Sequence, residues 1–442
     1  MYRKATSNNL SSIYPFVDSA ICNSKTGIVK DLFHWLPEPN DPSIFLMAAI
    51  TNNSGRFANE SATNFNSGAG LTMEAAYNAA VGEAIERYSS AFINEEELVL
   101  SSYRDLKENA IHPEKFAYYH EKQYVTPEFP FKKLNLDTVV NWVKGYSLIQ
   151  NKHVYIPAAN VFLPYFHKND EELIWHSVST GLSCAKSKEE AILKGIFEVI
   201  ERDCFSILWF NKLSMPKINI ESDKYIREIF EQYFKTPNCK FHLIDMTMDV
   251  KIPTVLGVLE DLSGGTLIAA ATRLNLKDAV IKTLIELSQG RISWKRDFVE
   301  GVSDEFKEDY SDIRDFHSRV RLFTNNNMKK HIQFAYQSNN IVNINQAYPE
   351  YENSHKTQLA ITLEMLRRQG HDVVIYDLTT EDVKKRGYHV IRVVIPGFTE
   401  ITNDHVIPRA GGTRIYEVPK KINLKDTVMN FEELNPIPHP FP

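Results

Sequence analysis

An α+β fold built as one large domain is the architecture this sequence predicts, and three observations predict it. Alternating apolar runs read as strands and longer runs of helical periodicity read as helices, mixed without the steady strand–helix–strand rhythm of a doubly wound sheet. The composition is that of an ordinary globular chain, 442 residues with 43% apolar and 24% charged, enough to bury a sizeable core. Finally, "GLTMEAAYNAAVGEAIERYSSAF" and "GLSCAKSKEEAILKGIFEVIERDCFSI" resemble each other in their opening Gly-Leu, their helical apolar pattern and an acid-x-x-Glu-Arg near the end, which suggests duplicated halves.

The elements follow in order. Strands are predicted over 27–36 and 44–51, then a helix from about Thr72 to Phe92. "NWVKGYSLI", the polar turn "QNKH" and "VYIPAANVF" read as a hairpin. A long helix runs from about Ser187 to Phe210, with Ser187 as N-cap and Glu190 three residues on as a capping box. Strands "FHLIDM", "TVLGVLE" and "LIAAATR" precede a third helix over 277–294. "VSDEFKEDYSDIRDF" is a charged surface region with some helical character; a helix around 358–369 and strands "DVVIYDL" and "HVIRVVIPGF" follow, and from Thr399 the chain is proline-punctuated and irregular.

Several function classes are excluded or disfavoured. A net charge of -6 provides no basic footprint for nucleic acid. No apolar run is long enough to span a bilayer and "MYRKATSNNL" lacks the apolar core of a secretion signal, so a cytoplasmic location without membrane insertion is expected. The four cysteines are widely spaced and expected to be free thiols, and no histidine pair has metal-ligand spacing.

What stands out is a pair of acidic motifs on apolar helices. Residues three apart share a helix face, so Glu83 with Glu86, and Glu198 with Glu201, each present two carboxylates side by side. The plain reading is a solvated ion pair, since Glu83 to Arg87 and Glu198 to Arg202 have the favourable i,i+4 spacing, worth tenths of a kcal/mol. Two copies in similar helices argue for more: if the halves meet near a pseudo-twofold axis, four carboxylates converge and require cations, supplied by the two arginines and Mg²⁺. Gly82 and Gly195, each costing about 1 kcal/mol relative to alanine inside a helix, point to a close approach there. The third helix repeats the pattern more weakly, with Glu286 and Gln289 at the matching spacing. No G-x-x-x-x-G-K-[ST] loop is present and "SGAG" (67–70) is too short to serve as one, so any nucleotide chemistry needs a carboxylate-rich site without a P-loop.

These residues resemble a known family. "KTGIVKDL", "GAGLTMEAAYNAAVGEAIERYS", "STGLSCAKSKEEAILKGIFEVIERD", "AVIKTLIELSQGR" and "DLTTEDVKKRGYHVIRVVIPGF" together are similar to the YcaO proteins, and the closing "NPIPHPFP" is similar to the P-x-P-x-P end of the azoline-forming branch, the D-proteins of peptide cyclodehydratases. The resemblance implies a single domain over 1–442 with halves 1–170 and 171–398 and a tail over 399–442. It implies that ATP and Mg²⁺ are held between glutamate-rich helices, with Glu83, Glu86, Glu198 and Glu201 as metal ligands. Arg87 and Arg202 would contact phosphate or fix those carboxylates, with Arg202 read as catalytic as well; Glu190, Lys282 and Glu286 would belong to the nucleotide site. A prolyl tail on its own is an unremarkable frayed end. In the family it runs into the active site, so Pro442 is expected to orient substrate or move a proton.

The reaction so implied is ATP-dependent cyclodehydration of Cys, Ser or Thr in a ribosomal precursor peptide. Alternatives are thioamide or amidine formation, or a scaffold that binds ATP or peptide without turnover. Implied partners are the precursor peptide and a ubiquitin-activating-enzyme-like protein; a flavin dehydrogenase for later ring oxidation and a homodimer are compatible with it. Three positions depart from the family pattern: Ala79 where serine is frequent, Lys186 where Gln or Asn is common near Glu190, and Lys282 where arginine precedes the third acid. Lysine cannot make a bidentate fork.

Overall fold

A computed structural model describes residues 2–5, 15–56, 63–168, 170–262, 264–295, 306–352 and 354–441. Strands β1 (Tyr2–Ala5), β2 (Val29–Trp35), β3 (Phe45–Thr51) and β4 (Phe65–Gly70) form an antiparallel sheet in that order. Strands β5 (Val99–Ser101), β6 (Val140–Ser147), β7 (Lys152–Pro157) and β8 (Leu182–Ala185) begin a second sheet. Strands β9 (Lys217–Asn219), β10 (Cys239–Asp245), β11 (Thr254–Asp261), β12 (Thr266–Thr272) and β13 (Ile341–Asn343) make the third, and β14 (Val374–Asp377) and β15 (His389–Val394) return to the second. The second sheet runs β5-β6-β14-β15-β8 with β7 on β6, and the third β12-β11-β10-β9-β13.

The helices that matter for the site are α1 (Met73–Ser90), α2 (Lys188–Asn211), α3 (Leu276–Ser293), α4 (Phe316–Thr324), α5 (His355–Arg368) and α6 (Arg414–Lys421). The α+β class holds, and the three long helices lie within two residues of their predicted bounds. The charged stretch differs: its described part, 306–315, forms turns, and helix α4 begins only at Phe316.

Strands β4, β8 and β12 each end their sheet, and α1, α2 and α3 follow each of them directly. Thr72 Oγ1 accepts from Ala75 N–H at 3.1 Å and Ser187 Oγ from Glu190 N–H at 3.2 Å, satisfying orphan amides of the first turn. Only half of the predicted capping box forms at Ser187, because the Glu190 carboxylate pairs with Lys194 at 2.8 Å instead. At the third start Asn275 does not cap α3 with its side chain; its Oδ1 accepts from Tyr351 N–H at 2.8 Å.

Each helix also packs against the next unit's edge strand: α1 touches β8, α2 touches β12 and α3 touches β4. The result is a closed ring of three strand–helix units, where sequence similarity suggested two halves about a twofold. The opening Gly-Leu pairs are not equivalent either. Gly70 stands just before the Thr72 cap, whereas Gly181 precedes β8, six residues ahead of Ser187.

Helix α2 is the core of the molecule. Ile192, Ile196, Phe197, Ile200, Phe205, Ile207 and Leu208 are among its fully or almost fully buried side chains, each contributing about 1.5–3 kcal/mol by leaving water. Charged residues in its buried middle, such as Glu201 and Arg202, must face a cavity or a partner group.

Candidate active site

Counting eleven residues from the helix starts Thr72, Ser187 and Asn275 gives Glu83, Glu198 and Glu286; three further on stand Glu86, Glu201 and Gln289. The ring decides what these carboxylates touch. Glu83 Oε2 accepts from Ser67 N–H at 3.0 Å and Glu198 Oε2 from Gly181 N–H at 3.1 Å, each within its own unit. Glu86 Oε1 accepts from Cys184 N–H at 2.8 Å and Glu201 Oε2 from Thr272 N–H at 3.2 Å, each on the next unit's strand. Gln289 Nε2 donates to Ser67 Oγ at 3.0 Å, returning from the third unit to the first. An edge strand leaves amides unpaired, and here glutamates use them as anchors.

Glu83, Glu198, Glu201, Glu286, Arg202, Lys282 and Gln289 come together on the wall of one cavity of about 1010 Å³. A smaller cavity of about 290 Å³ is lined by Glu83, Glu86, Arg87, Lys194, Glu198 and Arg202. Glu83, Lys194, Glu198 and Arg202 border both. Arg202 binds Glu198 at 2.6 Å and donates to Thr180 Oγ1 at 3.1 Å, and Arg87 lies 3.5 Å from Glu83.

Electrostatics mark the second glutamate of each pair. Burial pushes the Glu86 carboxyl up to about 8; Arg87 opposes this, while Glu198 and Glu83 add to it. Burial raises Glu201 as well, reinforced first by Glu286, with Arg202 opposing. Burial dominates both shifts, the neighbouring arginines offset it only in part, and Glu198 adds to each. At the same time Arg87 Nη1 and Arg202 Nε are buried without a hydrogen-bond partner. Acids short of cations beside arginine donors short of acceptors suit a polyanion carrying a divalent metal. Among the described residues no three His, Cys, Asp or Glu are gathered as a ready-made metal cage. An ion such as Mg²⁺ would draw its other ligands from water and phosphate, which is its habit.

Other predicted residues fare differently. Glu190 lines neither cavity and is held by Lys194 and, at 3.9 Å, by His355. Lys282 is spent on Glu286 at 3.1 Å. Lys186 sits 3.3 Å over the Tyr388 ring, away from both cavities. Gly195 is a true close approach, since a Cβ there would meet Val393 Cγ2 at 2.6 Å; Gly82 is not, as nothing beyond the neighbouring backbone of its own helix lies within 4 Å of that position. Pro442 lies outside the described residues. The stretch before it is packed, not frayed: Phe441 is buried, its ring 4.7 Å from Phe205, and Pro440 and Phe441 line the larger cavity.

Sequence reasoning missed Arg273 and Lys194. Arg273, directly after β12, lines the larger cavity and donates to Thr272 O at 2.7 Å. Its counterparts in the other units are Gly70 and Ala185, so internal similarity carried no signal for it. Lys194 lies four residues before Glu198 on α2, a spacing that could have drawn attention to it.

The sequence profile of a family described as YcaO cyclodehydratase, ATP- and Mg²⁺-binding, matches residues 67–399. An uncharacterized protein of Methanothermobacter thermautotrophicus is 26% identical over 365 residues, 81% of this chain and 87% of that protein. Among solved structures, a heterocyclase in complex with substrate and cofactor superimposes with a TM-score of 0.79 at 22% identity, covering 99% of this chain. This chain spans only 57% of that heterocyclase chain. YcaO from Methanopyrus kandleri, bound with AMPPCP and Mg²⁺, matches with a TM-score of 0.60 at 20% identity, covering 86% of this chain and 88% of that one. No described helix is long and apolar enough to cross a membrane. Because the match takes in all three acid-bearing units of the ring, from β4 to the start of the tail, the chain belongs to the YcaO family.

Proposed function

We propose that this chain is the ATP-using component of a peptide cyclodehydratase that forms thiazolines or (methyl)oxazolines. The observation that carries the reading is the convergence of Glu83, Glu198, Glu201, Glu286 and Arg202 on one 1010 Å³ cavity whose wall also includes Pro440 and Phe441. That volume suits a nucleotide, and the prolyl segment that speaks for the azoline branch borders the same space.

In this reading a Cys, Ser or Thr side chain of the peptide attacks the preceding amide carbonyl and its proton is lost. The resulting oxyanion takes the γ-phosphoryl group of ATP, releasing ADP. The phosphorylated oxygen then leaves as inorganic phosphate while the amide nitrogen gives up its proton, and the ring C=N forms. Phosphate leaves far more readily than hydroxide, which is why ATP is consumed. Mg²⁺ neutralises phosphate charge when bound. Glu83, Glu86, Glu198 and Glu201 would hold it, with Glu198 common to both acidic clusters. The free donors of Arg87 and Arg202 would take phosphate oxygens, and Lys282 and Glu286 would line the nucleotide. Glu190 enters as a support of Lys194, not as a ligand contact. Pro442 would orient substrate or move a proton, as the family resemblance implies.

A precursor peptide is the natural substrate class, and a ubiquitin-activating-enzyme-like protein the partner that presents it; a flavin dehydrogenase would act after ring formation. The whole chain from residue 1 to 442 would work as one domain, with 399–442 as the tail.

The test is reconstitution of the chain with a Cys- and Ser-containing precursor peptide, its partner protein, ATP and Mg²⁺, read by mass spectrometry. One water lost per ring is the expected result. Oxygen-for-sulfur exchange would move the assignment to thioamide formation, and ATP hydrolysis over an unchanged peptide mass would overturn it.

A further inference from the structure

The segment behind Thr399 is tied down at several points. Asn435 N–H donates to Phe210 O at 2.8 Å, and Trp209 Nε1 donates to Ile437 O at 3.0 Å, so residues 435–437 lie along the end of α2. Farther on, one side chain holds it from the other side. Arg319 of α4 donates through Nη1 to His439 Nε2 at 2.7 Å and to Thr402 O at 2.9 Å, and through Nη2 to Asn403 Oδ1 at 3.1 Å. A guanidinium can only donate, so His439 Nε2 accepts from Arg319, and the same nitrogen lies 3.3 Å from Thr402 O, the other acceptor of Nη1. Arg319 is 1% exposed, and its acceptors are all neutral.

A buried guanidinium with only neutral acceptors is costly, and Arg319 has a second burden. Burial, followed by the charge of nearby Arg202, lowers its pKa to about 9, so it stays charged at neutral pH while opposed by Arg202. Helix α4 meanwhile presents Phe316, His317 and Val320 to the larger cavity, and Pro440 and Phe441 reach the same cavity. An anion beside Arg202 would offset the repulsion that Arg319 feels, and would touch both the helix that clasps the segment and the segment itself.

We infer that Arg319 is the positioning residue that docks residues 435–441 at the wall of the nucleotide cavity, and that this docking and nucleotide binding strengthen each other. The inference rests on reading that cavity as the ATP site. Coupling between two binding events is reciprocal: if nucleotide tightens the segment, loosening the segment must weaken nucleotide by the same factor.

The experiment compares hydrogen exchange in a peptide covering residues 435–441, with and without a non-hydrolysable ATP analogue and Mg²⁺, alongside calorimetric titration of the same analogue. Wild-type protein should show exchange at Ile437, His439 and Phe441 slowed by about tenfold on binding, within the usual range of such couplings. Arg319→Gln and His439→Ala should each abolish that protection and weaken analogue binding by a matching factor, and Arg319→Lys, with one cation but no fork, should fall between. His439→Ala leaves α4 intact, so it decides the matter if Arg319→Gln fails to fold. Analogue that does not bind wild-type protein would sink the nucleotide reading; analogue that binds equally to wild type and His439→Ala, with tail exchange unmoved, would sink the coupling alone.

Discussion

Gln289 reaches from α3 to Ser67 on β4, donating from Nε2 to Oγ at 3.0 Å, and so closes a circuit that Glu86 and Glu201 make with strand amides in the other two units. The third unit uses a neutral amide where the others use carboxylates. A third carboxylate there would add a repulsive charge to a region already short of cations. Replacing Gln289 with leucine should lower unfolding free energy by about 1 kcal/mol, the usual worth of one side-chain hydrogen bond, measured by urea denaturation. Gln289→Glu should instead leave stability low in EDTA and recover it with Mg²⁺; equal stability with and without metal would count against a charge-limited ring.

The raised Glu86 carboxyl makes the metal-free protein pH-sensitive with a defined sign. Its folded pKa of about 8 lies above its ordinary value of 4.5, so the folded state holds a proton that the unfolded chain has lost between those limits. Its contribution to stability is complete below about pH 4.5 and is lost as pH rises to about 8. Relative to Glu86→Gln, the wild-type protein in EDTA should therefore lose on the order of 2 kcal/mol from pH 5 to 8, discounted from the full shift because Glu86 keeps a partly exposed rim. Thermal melts of both proteins across that range would show it, and parallel curves would refute it.

How far these features could be read from sequence depends on which interactions are local. The glutamate pairs, their arginines and the bounds of α1, α2 and α3 follow from helical periodicity, with Ser187 read as a cap, all set within a few turns. Strands β4 and β8, whose "FNSGAG" and "LSCA" supply or flank the amides that grip Glu83 and Glu86, escaped because Gly, Ser, Asn and Ala have low strand propensity and the segments are short. They are strands because neighbours pair with them, β4 with β3 and β8 with β15. Threefold closure was equally hidden. The third unit's weaker copy, with Gln289 for glutamate and Arg273 without counterpart, dilutes the repeat, and contact between helix and next strand is tertiary. The buried tail inverted the normal expectation for a proline-rich end because Trp209, Phe210 and Phe205 provide a surface for it.

Glu198 is the carboxylate felt by both Glu86 and Glu201, and it borders both cavities, whereas Glu83 is felt only on the Glu86 side. If one acid bridges the two clusters, removing it should cost more than removing Glu83, which acts on one of them. Glu198→Gln should lower kcat for ATP hydrolysis by about 100-fold or more and raise the Mg²⁺ concentration needed for half-maximal rate, while Glu83→Gln should cost about tenfold. Glu201→Gln is expected to abolish turnover. Steady-state assays over a Mg²⁺ series test the ranking, and an equal loss in Glu83→Gln and Glu198→Gln would remove the bridging role.

Helix α2 owes its placement to a charge network one residue beyond Arg202. Asp203, fully buried, accepts from Arg414 Nε at 3.0 Å and Nη2 at 2.7 Å, while Asp249 accepts from Arg414 Nη2 at 2.7 Å and from Lys421 at 2.9 Å. The guanidinium lies 4.2 Å over the Phe398 ring. Truncating Arg414 strands Asp203 in the core and leaves Asp249 with Lys421 alone, so Arg414→Ala should cost about 3–5 kcal/mol, whereas Asp203→Asn, which keeps an acceptor, should cost less. Burial pushes Asp249 up, but the Arg414 and Lys421 donors more than reverse this and hold it well below the ordinary carboxylate range. A depressed carboxylate stabilises at pH above its ordinary value of 3.8 and loses that contribution on acidification, so the gap between wild type and Arg414→Ala should shrink as pH falls below about 4. Since Arg202 and Asp203 are adjacent on α2, loss of this anchor should also reduce ATP turnover in the fraction that remains folded. Urea titrations at pH 7 and pH 3, with activity normalised to folded protein, would separate the two effects; full activity per folded molecule in Arg414→Ala would mean that α2 keeps its register without this network.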